Sequence, residues 1–322
     1  MARTLPAALL SRARERPHSP FLVVYEESQR QVAYEVSFSE LVAHTARAAG
    51  LLRDGCGVDA GQYVALLAHN SVAYVAMSLG AMSLGAASLN LNHRQPTSIT
   101  QELIKGLVPV VLCASQPFLD DAKRICAASS SGANGRAMGL VELIDPTQPP
   151  ATFPPLSLKD LESRISRLDP QSDAAVFFTG GTTGAPKAVP HTHSALLWLS
   201  DALHRAHPEP FTPAVAHAAT LCFTPFSHVM GFVANLVFNL GVGCAGAERG
   251  NAHAREHGGA RVTRRRRPLF YAHDFRVPPD AHSHIWHEHD TNTNTSALAR
   301  VRVRAGAAPF CSRRVLRRSR RG

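Results

Sequence analysis

Short apolar runs alternate with amphipathic segments along most of the chain. The runs have the length and composition of strands, and they are FLVVY (21–25), VAYEVSF (32–38), YVALLA (63–68), VPVVLCA (108–114), MGLVELI (138–144) and AAVFF (174–178). Helical periodicity lies between them, near 38–52, 71–85, 118–127, 158–165 and 192–204, and residues 219–243 predict a further strand, turn and helix. Strands that alternate with helices at this spacing predict an α/β fold with helix-covered, mostly parallel sheets. The polar EESQRQ between the first two runs predicts that this pair forms a β-hairpin instead.

Three local signals refine this pattern. Ser37 and Glu40 have the spacing of a capping box, which predicts a helix start. Asn70 and Ser71 are suitable N-cap residues for the helix that follows the third run. That helix contains AMSLGAMSLG (76–85), a repeated pentapeptide, and its small residues predict a helix that lies close on a sheet.

Composition places the chain among globular proteins, with 322 residues of which 45% are hydrophobic. The net charge of +10 is uneven, because residues 1–247 carry 17 Lys and Arg against 18 Asp and Glu, whereas residues 248–322 carry 17 against 6. The basic charge therefore does not define a nucleic-acid surface on the folded part. We predict an α/β domain over 1–247 and a disordered tail rich in Arg and His over 248–322.

Two long stretches, 72–93 and 218–247, contain no acidic or basic residue. Small and polar residues interrupt both, so we predict buried helices and strands rather than membrane spans. The six cysteines are far apart and form no C-x-x-C, which favours a reducing compartment over a disulfide framework. No secretory signal is expected at the N-terminus and the final Arg-Arg-Gly is no peroxisomal address, so a cytoplasmic protein is expected, with a peroxisomal parent left open.

The segment FFTGGTTGAPKAVPHTH (177–193) is typical of a loop that binds phosphate. A turn rich in Gly and Thr between a strand and a helix directs backbone N–H groups and the helix dipole at one spot, where an anion is stabilised. Glycine permits close backbone approach, threonine hydroxyls donate hydrogen bonds, and lysine adds a positive charge. The candidate phosphate-binding residues are Thr179, Gly180, Gly181, Thr182, Thr183, Gly184 and Lys187. Their spacing fits neither Walker A, in which Lys follows the last Gly directly, nor G-x-G-x-x-G.

This loop closely resembles the T-S-G-T-T-G-x-P-K-G loop of the adenylate-forming (AMP-binding) superfamily, which includes acyl-CoA synthetases, coumarate-type CoA ligases, luciferases and peptide-synthetase adenylation domains. Gly180 and Ala188 depart from that pattern, in which Ser and Gly are usual. The segment TPFSHVMGF (224–232) resembles the P-x-x-H-x-x-G turn of the same family, with Pro225, His228 and Gly231 in register. Residues 66–96 resemble an earlier family segment, so the resemblance runs from about Ser37 to Gly243.

The resemblance implies a reaction in which a carboxylate attacks the α-phosphate of ATP, bound with Mg²⁺, to give an acyl-adenylate and pyrophosphate. The thiol of CoA or of a carrier protein then takes the acyl group. By this resemblance, Thr179, Thr182, Thr183 and Lys187 would neutralise the β- and γ-phosphates as pyrophosphate leaves. His228 would lie near the acyl carboxylate and the entry path of the thiol.

Several family motifs have no counterpart in this sequence. The Tyr-Gly-x-Thr-Glu motif, the ribose-binding Asp and the hinge to the small C-terminal domain are not recognisable, and residues 248–322 contain no lysine that could serve as that domain's catalytic lysine. We therefore expect an N-terminal part of the family fold that does not complete thioester formation. The alternatives are an adenylation domain of a peptide-synthetase-like or carboxylate-reductase enzyme and a non-catalytic nucleotide-binding protein.

The composition of residues 248–322 calls for its own interpretation. Arg, Ala, His and Pro dominate without a sustained apolar period, as in a GC-rich gene translated out of frame or through an intron, with the break near 241–250. Two alternatives stay open. Arg264–Arg267 and the terminal SRRVLRRSRRG could bind nucleic acid, and His282, His284, His287 and His289 could bind a metal ion.

Overall fold

The computed structural model describes residues 3–26, 31–129, 137–143, 153–179, 186–206, 220–222, 224–241 and 270–272. Its α-helices are α1 (Leu5–Glu15), α2 (Phe38–Gly50), α3 (Val72–Ser83), α4 (Thr97–Lys105), α5 (Leu119–Ala128), α6 (Leu158–Ile165), α7 (His193–Ala206), α8 (Val229–Gly231) and α9 (Phe238–Gly241). Its strands are β1 (Pro20–Glu26), β2 (Gln31–Ser37), β3 (Tyr63–Leu67), β4 (Ala87–Asn90), β5 (Val111–Ser115), β6 (Gly139–Leu143), β7 (Asp173–Phe178), β8 (Ala188–Thr192), β9 (Thr220–Cys222) and β10 (Phe270–Ala272). Single π-helical turns continue α2 over Leu51–Gly55 and α8 over Phe232–Val237, and a 3₁₀ turn, Gln116–Phe118, precedes α5.

The larger sheet has six strands in the order β6-β5-β3-β4-β7-β8, and every neighbouring pair is parallel except β7 with β8. Alternate residues of β3 point to its two faces: Val64 and Leu66 pack with α2 and α3, whereas Ala65 and Leu67 pack with α4 and α5. Helices thus cover both faces, and the predicted helix-covered, mostly parallel sheet is confirmed.

The smaller sheet has four strands in the order β2-β1-β10-β9. The antiparallel β1–β2 pair confirms the predicted hairpin. Strand β10 pairs in parallel with both β1 and β9 and lies between them. Residues 270–272, within the predicted tail, pair there with the backbone of two neighbouring strands. The disorder of 248–322 stays a prediction. The remainder of that tail, including His282, His284, His287 and His289, lies outside the described residues.

The helix-start signals are confirmed in detail. Ser37 caps α2 through its side chain while Glu40 bonds back to the Ser37 backbone N–H at 2.8 Å, which completes the capping box. Ser71 caps α3 by accepting a hydrogen bond from the Tyr74 N–H. Asn70 does not cap this helix and has a different set of partners, described below.

One small residue of the repeat within α3 lies close to a neighbouring helix. A Cβ atom at Gly80 would lie 2.8 Å from the Ala48 Cβ and 2.9 Å from the Ala49 nitrogen, both on α2. The small residue therefore permits a close α2–α3 crossing, in addition to the packing of α3 on the sheet. Residues 72–93 form α3, β4 and their connections, largely buried as predicted. Within the described ranges, no helix is both long and apolar enough to cross a bilayer.

Candidate functional site

The phosphate-loop segment is held at both of its ends. The Thr179 N–H donates to the Lys187 carbonyl at 3.0 Å, and the Lys187 N–H donates to the Thr179 Oγ1 at 3.1 Å. These two bonds close the loop between β7 and β8, and both Thr179 and Lys187 are exposed. Because Oγ1 accepts a backbone bond, the hydroxyl hydrogen of Thr179 can be donated to a ligand. Gly180, Gly181, Thr182, Thr183 and Gly184 lie outside the described residues.

The loop joins two antiparallel strands, which corrects the predicted strand–loop–helix arrangement. Strand β8 follows the loop, pairs with β7 and delivers the chain to α7 only at His193. Pro190 lies within β8, and this is tolerated because β8 is an edge strand, with no outer partner among the described residues. The dipole of α7 therefore starts one strand away from the loop.

The second motif forms a tight turn. The His228 N–H donates to the Pro225 carbonyl at 3.0 Å, and the His228 Nδ1 accepts from the Met230 N–H at 3.2 Å, so His228 caps the short helix α8. A Cβ atom at Gly231 would lie 2.2 Å from the Pro225 carbonyl oxygen, which explains why glycine occupies this position. The side chain of His228 is exposed at the surface.

The fold brings the two motifs together through aromatic contacts. Phe177, on β7 just before the loop, packs against Phe232, just after the His228 turn, with ring centroids 5.4 Å apart. The ring of His191 on β8 also packs against Phe177, with ring centroids 5.6 Å apart. Phe177 and Phe232 are both buried. Two segments about forty residues apart in sequence are therefore neighbours in the folded chain.

A buried polar network crosses the same region. The Tyr74 hydroxyl donates to the Asn90 Oδ1 at 2.7 Å, and the Asn90 Nδ2 donates to the Val176 carbonyl of β7 at 3.2 Å. Tyr74 also packs against Phe226, with ring centroids 5.6 Å apart. The network links β7 to the His228 turn through α3 and β4. Sequence analysis missed it, although Asn90, a polar residue directly after an apolar run, was the signal that could have found it.

His193 is a fully buried histidine directly after β8. Its Nδ1 accepts from the Leu5 N–H of α1 at 3.3 Å, and its Nε2 is buried without a hydrogen-bond partner in the described structure. Burial lowers the pKa of His193 to about 4. The fold therefore requires a neutral imidazole, which ties α1 to the strand that closes the phosphate loop.

Among the residues that the structure describes, no group of three or more His, Cys, Asp and Glu side chains is placed to hold a metal ion. The donors that the structure describes at the ends of the loop are the Thr179 hydroxyl and the Lys187 ammonium group, which suit phosphate oxygens rather than a cation. These two groups fit a polyphosphate anion.

Comparison with known proteins identifies the class. The sequence matches the profile of the family described as AMP-binding enzyme over residues 9–260. Since this match covers most of the chain, the protein belongs to the AMP-binding enzyme family, and the resemblance indicated by the motifs is confirmed.

Individual relatives agree with this assignment. The chain is 28% identical over 192 residues to the nonribosomal peptide synthetase-like enzyme fsqF of Aspergillus fumigatus, which covers 60% of this chain and 11% of that protein. It is 26% identical over 230 residues to the acyl-CoA synthetase ALT10 of Alternaria alternata, with 64% and 39% covered.

The fold is likewise that of solved family structures. The crystal structure of the anthranilate CoA ligase AuaEII in complex with anthranoyl-AMP superposes with a TM-score of 0.59 at 20% identity, over 74% of this chain and 43% of that chain. The chain spans well under half the length of each of these three proteins.

Proposed function

We propose that this chain carries the polyphosphate-binding part of a site that activates a carboxylic acid with ATP through an acyl-adenylate. The observation that carries the proposal is the packing of Phe177 on Phe232, because it sets the loop closed by Thr179 and Lys187 beside the His228 turn. Membership of the AMP-binding family supports the use of ATP.

Lys187 and Thr179 have defined roles in this proposal. The Lys187 ammonium group neutralises charge that develops on the β- and γ-phosphates as pyrophosphate leaves, and the Thr179 hydroxyl donates to a phosphate oxygen. Thr182, Thr183 and the glycines of the loop are proposed as further phosphate-binding residues, because they match the family motif. Mg²⁺ bound to ATP supplies further neutralisation of phosphate charge.

His228 is proposed to face the acyl group and the incoming thiol. Its Nδ1 is engaged in capping α8, so the capping bond fixes the orientation of the ring. CoA is the proposed thiol. The name of fsqF, a peptide synthetase-like enzyme, keeps a carrier-protein thiol as the second candidate acceptor.

The 322 residues alone are proposed not to complete thioester formation. Adenylation needs the α-phosphate and the carboxylate to be fixed together with the leaving group, and each contribution is worth several kcal/mol of barrier. Binding of nucleotide or pyrophosphate is expected to persist without turnover.

Exchange of labelled pyrophosphate into ATP tests this proposal. The purified chain is assayed with Mg²⁺ and a panel of aliphatic and aromatic carboxylic acids, and binding of pyrophosphate is measured in parallel. We expect saturable binding with no carboxylate-dependent exchange. Exchange above the no-acid control would support the reaction class and refute the predicted inactivity, whereas a chain that binds no polyphosphate would contradict the proposed site.

A further inference from the structure

The side chain of Asn70 joins the two sheets at the candidate site. Asn70 follows β3 of the larger sheet, and its Oδ1 accepts from the Phe226 N–H at 2.7 Å. Its Nδ2 donates to the Thr224 carbonyl at 3.0 Å. One amide thus makes two bonds of opposite polarity to the backbone on both sides of Pro225, in the segment that leads from the smaller sheet into the His228 turn.

A third contact fixes the same amide from the side of the smaller sheet. The Asn70 Nδ2 lies 3.4 Å from the Sγ of Cys222, the last residue of β9, and the Cys222 thiol in turn lies 3.4 Å from the Thr224 carbonyl. Cys222 is fully buried, and burial raises the pKa of its thiol to about 12. The thiol therefore stays protonated and acts as a donor within this cluster.

The turn that Asn70 holds has little freedom of its own. Phe226 is fully buried, the His228 N–H returns to the Pro225 carbonyl at 3.0 Å, and Gly231 leaves no room for a side chain against that carbonyl. A displacement of residues 224–226 would therefore carry His228 with it. The two bonds of Asn70 fix these residues relative to β3, an interior strand of the sheet that also carries the loop between β7 and β8.

We propose that Asn70 is a positioning residue that sets His228 against the phosphate loop by locking the 224–226 backbone onto the end of β3. The proposal rests on the proposed function for the use made of His228, whereas the positioning itself is a property of the folded chain. Only a primary amide supplies both polarities at this point, since Asp retains the acceptor and loses the donor, and Leu loses both.

The test uses Asn70→Leu and Asn70→Asp in the full chain without any nucleotide. Asn92→Leu is the matched control, because the Asn92 Oδ1 accepts from the Arg94 N–H at 3.0 Å in an exposed turn. Hydrogen exchange of the Phe226 amide reports on the acceptor bond. The ¹³C and ¹⁵N signals of the His228 ring, assigned by their loss in His228→Gln, report on the position of the turn.

We expect Asn70→Leu to speed exchange of the Phe226 amide by about tenfold or more, because the N–H of this buried residue loses the Asn70 Oδ1 as an acceptor. Asn70→Asp should keep that amide protected, because a carboxylate oxygen still accepts its hydrogen. Both variants should shift the His228 ring signals, because both lose the bond to the Thr224 carbonyl, and Asn92→Leu should change neither readout.

Unchanged His228 signals in both Asn70 variants would overturn the proposal, as would equal changes in Asn92→Leu. If Asn70→Leu does not fold, the test rests on Asn70→Asp. In that variant the Phe226 amide should stay protected while the His228 ring signals shift, and unshifted His228 ring signals would refute the proposal. None of these outcomes depends on nucleotide binding. A chain that binds no polyphosphate would therefore count against the proposed function and leave this result standing.

Discussion

Removal of one buried hydroxyl group, in Tyr74→Phe, tests the polar network beneath the candidate site. Tyr74 is fully buried and donates to the Asn90 Oδ1 at 2.7 Å, while Asn90 is 1% exposed. The substitution leaves the Asn90 oxygen without that donor in a region closed to water. A buried acceptor left in this way costs about 1–3 kcal/mol.

Tyr63→Phe is the matched control, since it removes the same atom from a partly exposed side chain. The Tyr63 hydroxyl lies near the Asp173 carboxylate, and desolvation, followed by the charge and hydrogen bond of Asp173, raises the pKa of Tyr63. Water can replace the lost partner there, so we expect a loss below about 1 kcal/mol.

Urea unfolding followed by circular dichroism gives the free energy of unfolding for both variants. We expect Tyr74→Phe to be the less stable of the two by about 1 kcal/mol or more. Equal losses in the two variants would refute the reasoning, because they would show that the Tyr74–Asn90 bond contributes no more than a surface contact.

The remaining predictions concern a glycine and a histidine. Gly231→Ala should lower the free energy of unfolding by about 2 kcal/mol or more, because its Cβ would meet the Pro225 oxygen at 2.2 Å. Gly106→Ala is the control, since a Cβ there meets no neighbouring group within 4 Å, and it should stay within about 1 kcal/mol of wild type. Thermal unfolding of both variants checks this. Below pH 6.5 the unfolded chain binds a proton at His193, whereas the folded chain binds it only near pH 4. The free energy of unfolding should therefore fall by about 3 kcal/mol as the pH is lowered from 6.5 to 4. His193→Asn, which keeps an acceptor for the Leu5 N–H, should remove that part of the pH dependence; an unchanged slope in urea titrations at pH 7, 5.5 and 4 would contradict the assignment.

Where sequence and structure agree, the signals are local. The capping box at Ser37 and Glu40 and the apolar run that forms β3 depend on neighbouring residues alone, so the sequence predicts them directly. Strand β8 was missed because AVPHT is short and contains Pro190, and its strand conformation depends on pairing with the edge at β7. Pairing between distant segments is not encoded in any single window of sequence.

The same distinction holds for the site. The motifs at 177–193 and 224–232 are visible as residue patterns, and their adjacency follows from the fold alone. Asn70 was predicted as a helix cap because its type and place suit one, yet its amide bonds with residues more than 150 positions away. Its role could not be predicted from the sequence, because the partners are backbone atoms whose residue types carry no signal.

The claim that the loop between β7 and β8 binds polyphosphate is tested most directly by calorimetric titration of pyrophosphate and of MgATP into the purified chain and into Lys187→Ala. Lys159→Ala, on the exposed surface of α6, is the control for loss of one positive charge. One charge-assisted contact is worth about 1.5–3 kcal/mol, so Lys187→Ala should raise the Kd about 10- to 100-fold while Lys159→Ala leaves it unchanged. Equal affinity in the wild type, Lys187→Ala and Lys159→Ala, or no binding to any of them, would contradict the account.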